Sequence, residues 1–175
     1  MPASDSLVVV TGATGYVGGR LVPGLIEAGH SVRCVARRPE ELSDRSWKDE
    51  VEIIQADLAK PGDVAKALDG ATAAYYLLHS MSSSDDFAEV ESDMAAQFAA
   101  TAEDKSLRQI IYLGGLGLDG AKKSDHLSSR HRVGRLLAAG DTPVTELRAA
   151  VIIGSGSASF EMLRSLVEVL PFMVV

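Results

Sequence analysis

The stretch Thr11-Gly-Ala-Thr-Gly-Tyr-Val-Gly-Gly19 decides the fold of this 175-residue chain. It follows the β-branched run Leu7–Thr11 directly and precedes an amphipathic stretch, which predicts a glycine-rich turn between a strand and a helix. Glycines at 12, 15 and 18 permit a tight bend, a close approach of the backbone to a ligand, and packing of the helix on the strand. Backbone amides at such a helix start can bind a pyrophosphate. The alternative is a purely structural turn.

Outward from this turn, short β-branched runs alternate with longer amphipathic stretches along the whole chain. This alternation predicts an α/β fold, a Rossmann doubly wound parallel sheet of at least six strands with helices on both faces. The predicted strands are 7–11, 31–36, 51–56, 72–78, 108–113 and 144–153, the last of them trimmed at its start. Predicted helices follow the glycine turn and cover 61–70, 84–104, 124–139 and 159–170. On helix 84–104, we expect the Met and Phe positions of the apolar stripe to be core.

The composition, 46% hydrophobic and 23% charged, is typical of a globular domain that needs neither metal nor disulfide for its stability. Cys34 is the only cysteine, so an internal disulfide is excluded. A net charge of −7 opposes binding to nucleic acid or anionic lipid through a general field. Neither a signal sequence nor a run of bilayer-crossing length is present, so we expect a cytoplasmic protein without a membrane span.

Metal and hydrolase chemistry have no sequence support. His126 and His131 are five positions apart, which places them on different faces of a helix, and no third ligand is evident. The nucleophile motif Gly-x-Ser-x-Gly is absent. We therefore expect no metal site and no serine hydrolase.

The glycine spacing Gly-x-x-Gly-x-x-Gly resembles that of the short-chain dehydrogenase/reductase superfamily, in its extended and atypical branches. The resemblance continues in Ala56-Asp57-Leu58 and in Tyr76-Leu-Leu-His-Ser80, and it covers nearly the whole chain. It is strongest to NAD(P)H-binding proteins related to the nitrogen-metabolite-repression regulators and to epimerase-like bacterial proteins. It implies that Asp57 meets the adenine. The coenzyme-binding residues that it implies, beside the arginines discussed next, are Gly12, Thr14, Gly15, Tyr16, Val17, Gly18, Asp57, Leu58, Leu78, His79 and Ser80.

The end of the second strand predicts which dinucleotide is bound. Arg37 and Arg38 stand where an acidic residue would accept hydrogen bonds from the ribose diol of NAD(H). A guanidinium pairs instead with a 2′-phosphate, so we predict that NADP(H) is preferred over NAD(H). The alternative is a pair of solvated loop arginines.

The superfamily's catalytic Tyr-x-x-x-Lys pair is missing. At the matching place stands His126-Leu-Ser-Ser-Arg130, and the strand-end serine is replaced within Leu113–Gly117. In one interpretation, His126 donates a proton and Arg130 grips the ribose or the nicotinamide side. In the other, the chain is a non-catalytic NADP(H)-binding sensor or scaffold that acts through a protein partner.

Two further segments reach the same edge of the sheet. Ser80 can contact the nicotinamide ribose or a substrate oxygen, although we favour a loop that caps the long helix. The segment Val151–Ser159 contains glycines that permit approach to nicotinamide, or it is a plain turn.

The last residues, Leu170–Val175, are apolar and lack polar closing residues. We expect residues 1–175 to be one NAD(P)-binding domain, the N-terminal part of a longer protein whose remainder covers this end; the alternative is a homodimer. The expected function is that of an oxidoreductase or epimerase-like protein acting on an unknown small-molecule substrate.

Overall fold

The computed structural model describes residues 6–78, 85–116 and 125–169, without the side chains of residues 85–88, 125–126 and 158–159. Strands and helices alternate along these residues. Their bounds are β1 Leu7–Thr11, α1 Tyr16–Glu27, β2 Ser31–Ala36, β3 Glu52–Gln55, α2 Pro61–Leu68, β4 Ala73–Tyr76, α3 Asp85–Asp104, β5 Gln109–Gly115, α4 Asp125–Leu137, β6 Val144–Ala149 and α5 Ala158–Val169. Two short 3-10 helices, Pro39–Leu42 and Lys48–Glu50, connect β2 to β3.

The six strands form one parallel sheet in the order β3-β2-β1-β4-β5-β6. The chain therefore winds outward from β1 in one direction and from β4 in the other, which confirms the predicted doubly wound Rossmann architecture. The strand order reverses between β1 and β4, and the connections on the two sides of this point cover opposite faces of the sheet. The carboxyl ends of β1 and β4 therefore border a crevice.

The inner strands β1, β2, β4 and β5 are buried on both faces, as their near-continuous apolar sequences predict. Alternate residues of β1 belong to different cores, because successive side chains of a strand point to opposite faces. Val9 joins the cluster formed with α2, α3 and α4, which includes the fully buried Phe98. Val8 and Val10 join the cluster formed with α1 and the 3-10 helices, which includes Leu42.

Helix ends follow the glycine and proline signals. α1 continues through Pro23 and ends before Gly29, whose φ is +84°. The N–H of His30 donates to the carbonyl of Leu25 across this end, which satisfies a carbonyl of the last turn. α2 begins at Pro61 and is followed by Gly70 with φ +70°.

Strand bounds differ from the prediction in four of the six strands. β3 and β4 are shorter at both ends than the predicted 51–56 and 72–78. β6 begins at Val144 and stops at Ala149, so it is trimmed at its end and not at its start. β5 extends to Gly115 instead of ending at residue 113, because Gly114 and Gly115 pair with Arg148 and Ala149. A strand lasts only as long as its neighbour supplies backbone partners, and local periodicity carries no information on that length.

The region from β6 to α5 exposes apolar side chains. On α5, Met162, Leu163, Leu166, Val167 and Val169 are between 45% and 79% exposed, and Leu147 of β6 is 52% exposed. Exposed apolar patches of this kind mark contact surfaces. Across the described residues, no helix combines the length and the apolar composition required to cross a bilayer.

A substitution at Gly18 tests the packing of α1 against the glycine turn. A Cβ at this position would lie 2.8 Å from Cα of Ala13 and even closer to the carbonyl oxygen of Gly12, and both are backbone atoms. Gly18→Ala is therefore expected to lower the free energy of unfolding by about 1–3 kcal/mol, measured by urea denaturation.

Gly24→Ala is the matched control in the same helix. A Cβ there meets no atom within 4 Å, so alanine's higher helix propensity should raise the free energy of unfolding by about 0.5–1 kcal/mol. Equal stabilities of the two variants would contradict the packing role of Gly18.

Candidate functional site

The glycine turn after β1 excludes side chains for two reasons. Gly12 has φ +72°, a conformation that L side chains rarely adopt, and a Cβ there would lie 3.1 Å from the carbonyl oxygen of Leu77. The N–H of Gly15 donates to the carbonyl of Gly12 at 3.0 Å and closes the turn. The bend predicted from the spacing is thus present, with Gly12 and Gly18 in the predicted conformational roles.

α1 begins directly after this turn with no side-chain cap. Gly15 is its N-cap residue, and no side-chain capping hydrogen bond is found among the residues that the structure describes. The amides around Tyr16 and Val17 therefore have the polarity and the position that a phosphate group needs. This arrangement fits the pyrophosphate of a dinucleotide.

Thr11 ties the two central strands together beneath the turn. Its hydroxyl is fully buried, donates to the carbonyl of Tyr75 at 3.0 Å and accepts from the N–H of Leu77 at 3.1 Å. The carboxyl ends of β1 and β4 are thereby held at a set separation. The sequence indicated Thr11 only as the last residue of a strand.

A cleft of about 410 Å³ opens at the carboxyl edge of the sheet beside the glycine turn. It gathers residues at or directly after the carboxyl ends of β1 to β4, together with residues of α3, of α4 and of the 3-10 helix Pro39–Leu42. Its lining comprises Gly12, Thr14, Val35, Ala36, Arg37, Arg38, Glu41, Ala56, Asp57, Leu58, Ala59, Tyr76, Leu78, Val90, Glu91, Met94 and Val133. Seven of the predicted coenzyme-binding residues line it, namely Gly12, Thr14, Arg37, Arg38, Asp57, Leu58 and Leu78.

The wall formed by α3 includes part of its apolar stripe. Phe98 is fully buried and Met94 packs against the core cluster, as expected; Met94 also lines the cleft, together with the 47% exposed Val90. α3 follows β4 and so starts at the carboxyl edge of the parallel sheet. Its first turns consequently border the cleft, and only its later turns cover the core.

The polar groups near the ends of β2 and β3 differ in their partners. Arg38 forms an ion pair with Glu41, whereas no ion pair of Arg37 is found within the described residues. The N–H of Asp57 donates to Asp63 Oδ2 at 2.8 Å, and Asp57 Oδ1 accepts from the N–H of Ala59 at 3.2 Å. The Asp57 carboxylate is therefore held in place at the cleft.

Arg45 contacts the glycine turn from the connection between β2 and β3. Its Nη2 donates to the carbonyl of Thr14 at 2.9 Å, and its Nη1 lies 3.0 Å from the position that a Cβ on Gly19 would take. This contact explains the additional glycine at position 19. Sequence reasoning missed Arg45, because the connection has no periodicity that relates it to the turn.

The side chain of Arg130, a residue of α4, lies beside the end of β5. Its Cδ is 3.2 Å from the position that a Cβ on Gly115 would take, and its carbonyl accepts from the hydroxyl of Tyr112 at 2.9 Å. Arg130 Nε is buried without a hydrogen-bond partner in the described part of the chain. His126 belongs to α4 one turn earlier, and its side chain lies outside the described residues, as do His79 and Ser80.

Three titratable side chains of the sheet are buried in the core. Burial raises the pKa of Tyr76, raises that of Tyr112 to about 12, and raises that of the Cys34 thiol to about 12. A proton donor or a nucleophile works best with a pKa near the operating pH. Burial therefore moves the pKa values of both tyrosines and of the Cys34 thiol away from this range.

The loop after β6 contacts the start of α1. The hydroxyl of Tyr16 occupies the space beside Gly154, and Arg20 lies 4.4 Å from the centre of the Tyr16 ring. Arg20 Nη2 also donates to the carbonyl of Ser155 at 3.0 Å. These contacts bring part of the segment Val151–Ser159 next to the glycine turn, and its predicted contact with nicotinamide stays a prediction.

No group of three or more His, Cys, Asp or Glu side chains suited to a metal ion occurs among the residues that the structure describes.

Comparison with known proteins agrees with this geometry. A sequence family described as NAD(P)H-binding matches residues 12–152. A reductase of (4-alkanoyl-5-oxo-2,5-dihydrofuran-3-yl)methyl phosphate from Streptomyces griseus is 29% identical over 126 residues, which cover 72% of this chain and 40% of the reductase.

Solved structures share the fold. Triphenylmethane reductase of Citrobacter sp., complexed with NADP(H), superposes with a TM-score of 0.71 and 21% identity over 92% of this chain and 54% of that protein. The Bordetella bronchiseptica enzyme WbmH, in complex with NAD+, superposes with a TM-score of 0.75 and 16% identity over 93% of this chain and 62% of that protein.

This chain thus spans 40% of the Streptomyces reductase and little more than half of the two solved proteins. The family match covers most of the chain and includes the glycine turn and the cleft. The chain belongs to this NAD(P)H-binding family.

Proposed function

We propose that this chain binds NADP(H) in preference to NAD(H) and is the coenzyme-binding part of a reductase or epimerase-like enzyme. The observation that carries the proposal is the turn Gly12–Gly18, whose three glycines leave the backbone accessible and which opens onto a cleft bordered by Arg37. The name of the Streptomyces relative, a reductase, supports turnover over nucleotide sensing.

The lining of the cleft suggests an orientation for the dinucleotide. The pyrophosphate lies over the amides of Tyr16 and Val17, where α1 presents its positive end. The adenine lies between Leu58 and Leu78, two apolar side chains of the lining, and its amino group donates to the Asp57 carboxylate. Predicted contacts from His79 and Ser80 would follow along the same edge.

The 2′-phosphate is assigned to Arg37. This side chain is exposed at the cleft and forms no ion pair within the described residues, so its donors are available to a phosphate. The chain carries a net charge of −7, and its general field therefore opposes an anionic ligand. A local cation is needed to favour the coenzyme with the additional phosphate.

Replacing Arg37 tests this assignment. Arg37→Met is expected to raise the Kd for NADPH about 10- to 100-fold, because a charge-assisted bidentate contact is lost. The Kd for NADH should change less than about twofold. Isothermal titration calorimetry measures both constants.

Arg132→Met is the matched control, because it removes the same charge from an exposed position of α4 outside the cleft lining. Tighter binding of NADH than of NADPH by the unaltered protein, or equal weakening of both coenzymes in Arg37→Met, would count against the assignment.

On the nicotinamide side, we assign the proton donor to His126 and the ribose contact to Arg130. The bound coenzyme supplies or accepts the hydride. Support comes from the position of Arg130 at the end of β5 and from its buried Nε without a partner in the described part of the chain. An imidazole titrates close to neutral pH, which suits a proton donor where no Tyr-x-x-x-Lys pair exists.

Two substitutions on α4 separate these roles. His126→Gln is expected to lower kcat at least about tenfold with little change in the Kd for NADPH, because only proton transfer is affected. Arg130→Met is expected to raise that Kd. NADPH oxidation by the full-length protein is followed with a panel of ketones, quinones and sugar nucleotides. Unchanged turnover of His126→Gln on a substrate so identified would eliminate the assignment.

The binding partners and the cellular location of the protein are also proposals. A small-molecule substrate approaches the nicotinamide end, and no nucleic-acid partner is proposed for a chain of this charge. Either a C-terminal domain or a second copy covers the apolar side chains of α5; the longer relatives favour the domain. We place the protein in the cytoplasm.

A further inference from the structure

Arg38 and Glu41 form a pair at the mouth of the cleft that the sequence did not indicate. Both residues line the cleft, and their side chains form an ion pair. The N–H of Glu41 also donates to the carbonyl of Arg38 at 3.1 Å. The two residues are therefore joined through both backbone and side chains.

The backbone of Glu41 is anchored in the core. The next residue, Leu42, is fully buried, and the short 3-10 helix Pro39–Leu42 begins with a proline. The side chains of Arg38 and Glu41 nevertheless remain 70% and 38% exposed, so a ligand in the cleft can reach both of them. An anchored backbone with an accessible carboxylate keeps the negative charge beside the arginine.

The pair changes the charge that a coenzyme meets at the end of β2. Of the two neighbouring arginines, Arg37 forms no ion pair within the described residues, whereas Arg38 is neutralised by Glu41. Asp57 and Glu91 add two further carboxylates to the lining. The Arg37-Arg38 dipeptide thus presents less positive potential than its sequence indicates.

We propose that Glu41 is a specificity-determining residue that weakens the discrimination between NADP(H) and NAD(H). A 2′-phosphate must share the Arg38 guanidinium with the Glu41 carboxylate or displace it, and the two anions repel each other. An unphosphorylated ribose suffers no such repulsion, and its hydroxyl groups can donate to a carboxylate. The inference rests on the proposed function, in which the 2′ position of the coenzyme lies at this end of the cleft.

The variant Glu41→Gln tests the role of the charge. Glutamine keeps the shape of the side chain but removes the negative charge, and loss of an exposed ion pair should affect stability little. We expect NADPH to bind about five- to tenfold more tightly, and NADH to bind equally or more weakly. Calorimetric titration with both coenzymes at low salt measures the ratio of the two Kd values, and thermal unfolding verifies the fold.

Glu40→Gln provides the matched control. Glu40 belongs to the same 3-10 helix and is exposed, but it does not line the cleft. A change in the Kd ratio confined to Glu41→Gln supports the inference. The same change in both variants would overturn it, because a general reduction of negative charge would then be the cause.

Two further outcomes separate the inference from the proposed function. A Kd ratio of Glu41→Gln within about twofold of that of the unaltered protein would overturn the role of Glu41 and leave the proposed function intact. Failure of the unaltered protein to bind either coenzyme would overturn both. As an independent probe, 2′,5′-ADP should gain affinity in Glu41→Gln, whereas 5′-ADP, which lacks the 2′-phosphate, should not.

Discussion

The close approach of α1 to the turn after β1 is the constraint on which the rest of the site depends. Without a side chain at Gly18, the first turn of α1 lies against the backbone of Gly12 and Ala13. The positive φ of Gly12 and its proximity to Leu77 set the direction in which the chain leaves β1. The amide-rich helix start is thereby placed above the crevice between β1 and β4, where doubly wound sheets bind their ligands.

The positive charge at this edge of the sheet comes from individual groups. The chain as a whole is acidic, so an anionic coenzyme is attracted only by the backbone amides at the start of α1 and by individual arginines. These arginines have different surroundings: Arg37 is open to a ligand, Arg38 is paired with Glu41, and Arg45 supports the backbone of Thr14. Arginines close in sequence therefore serve different purposes.

The chain lacks the Tyr-x-x-x-Lys pair of the superfamily that its sequence resembles. Tyr76 and Tyr112 lie in the core, where burial raises their pKa values. Tyr112 donates to the carbonyl of Arg130 and so ties α4 to β5. This bond and the absence of a side chain at Gly115 bring Arg130 to the carboxyl edge.

The sequence by itself determined the six parallel strands, their approximate bounds, the glycine turn and the family, because periodicity and glycine spacing are local signals. Only the tertiary structure decided where β5 and β6 end, since a strand's length depends on its neighbour. It also decided that Val90 and Met94 line the cleft, and that Glu41 and Arg45 reach residues near the coenzyme turn. Such contacts join segments that are separated in the chain by loops or helices. A local sequence pattern does not specify how far a helix extends beyond the edge of a sheet, nor which side chain of a loop contacts that edge.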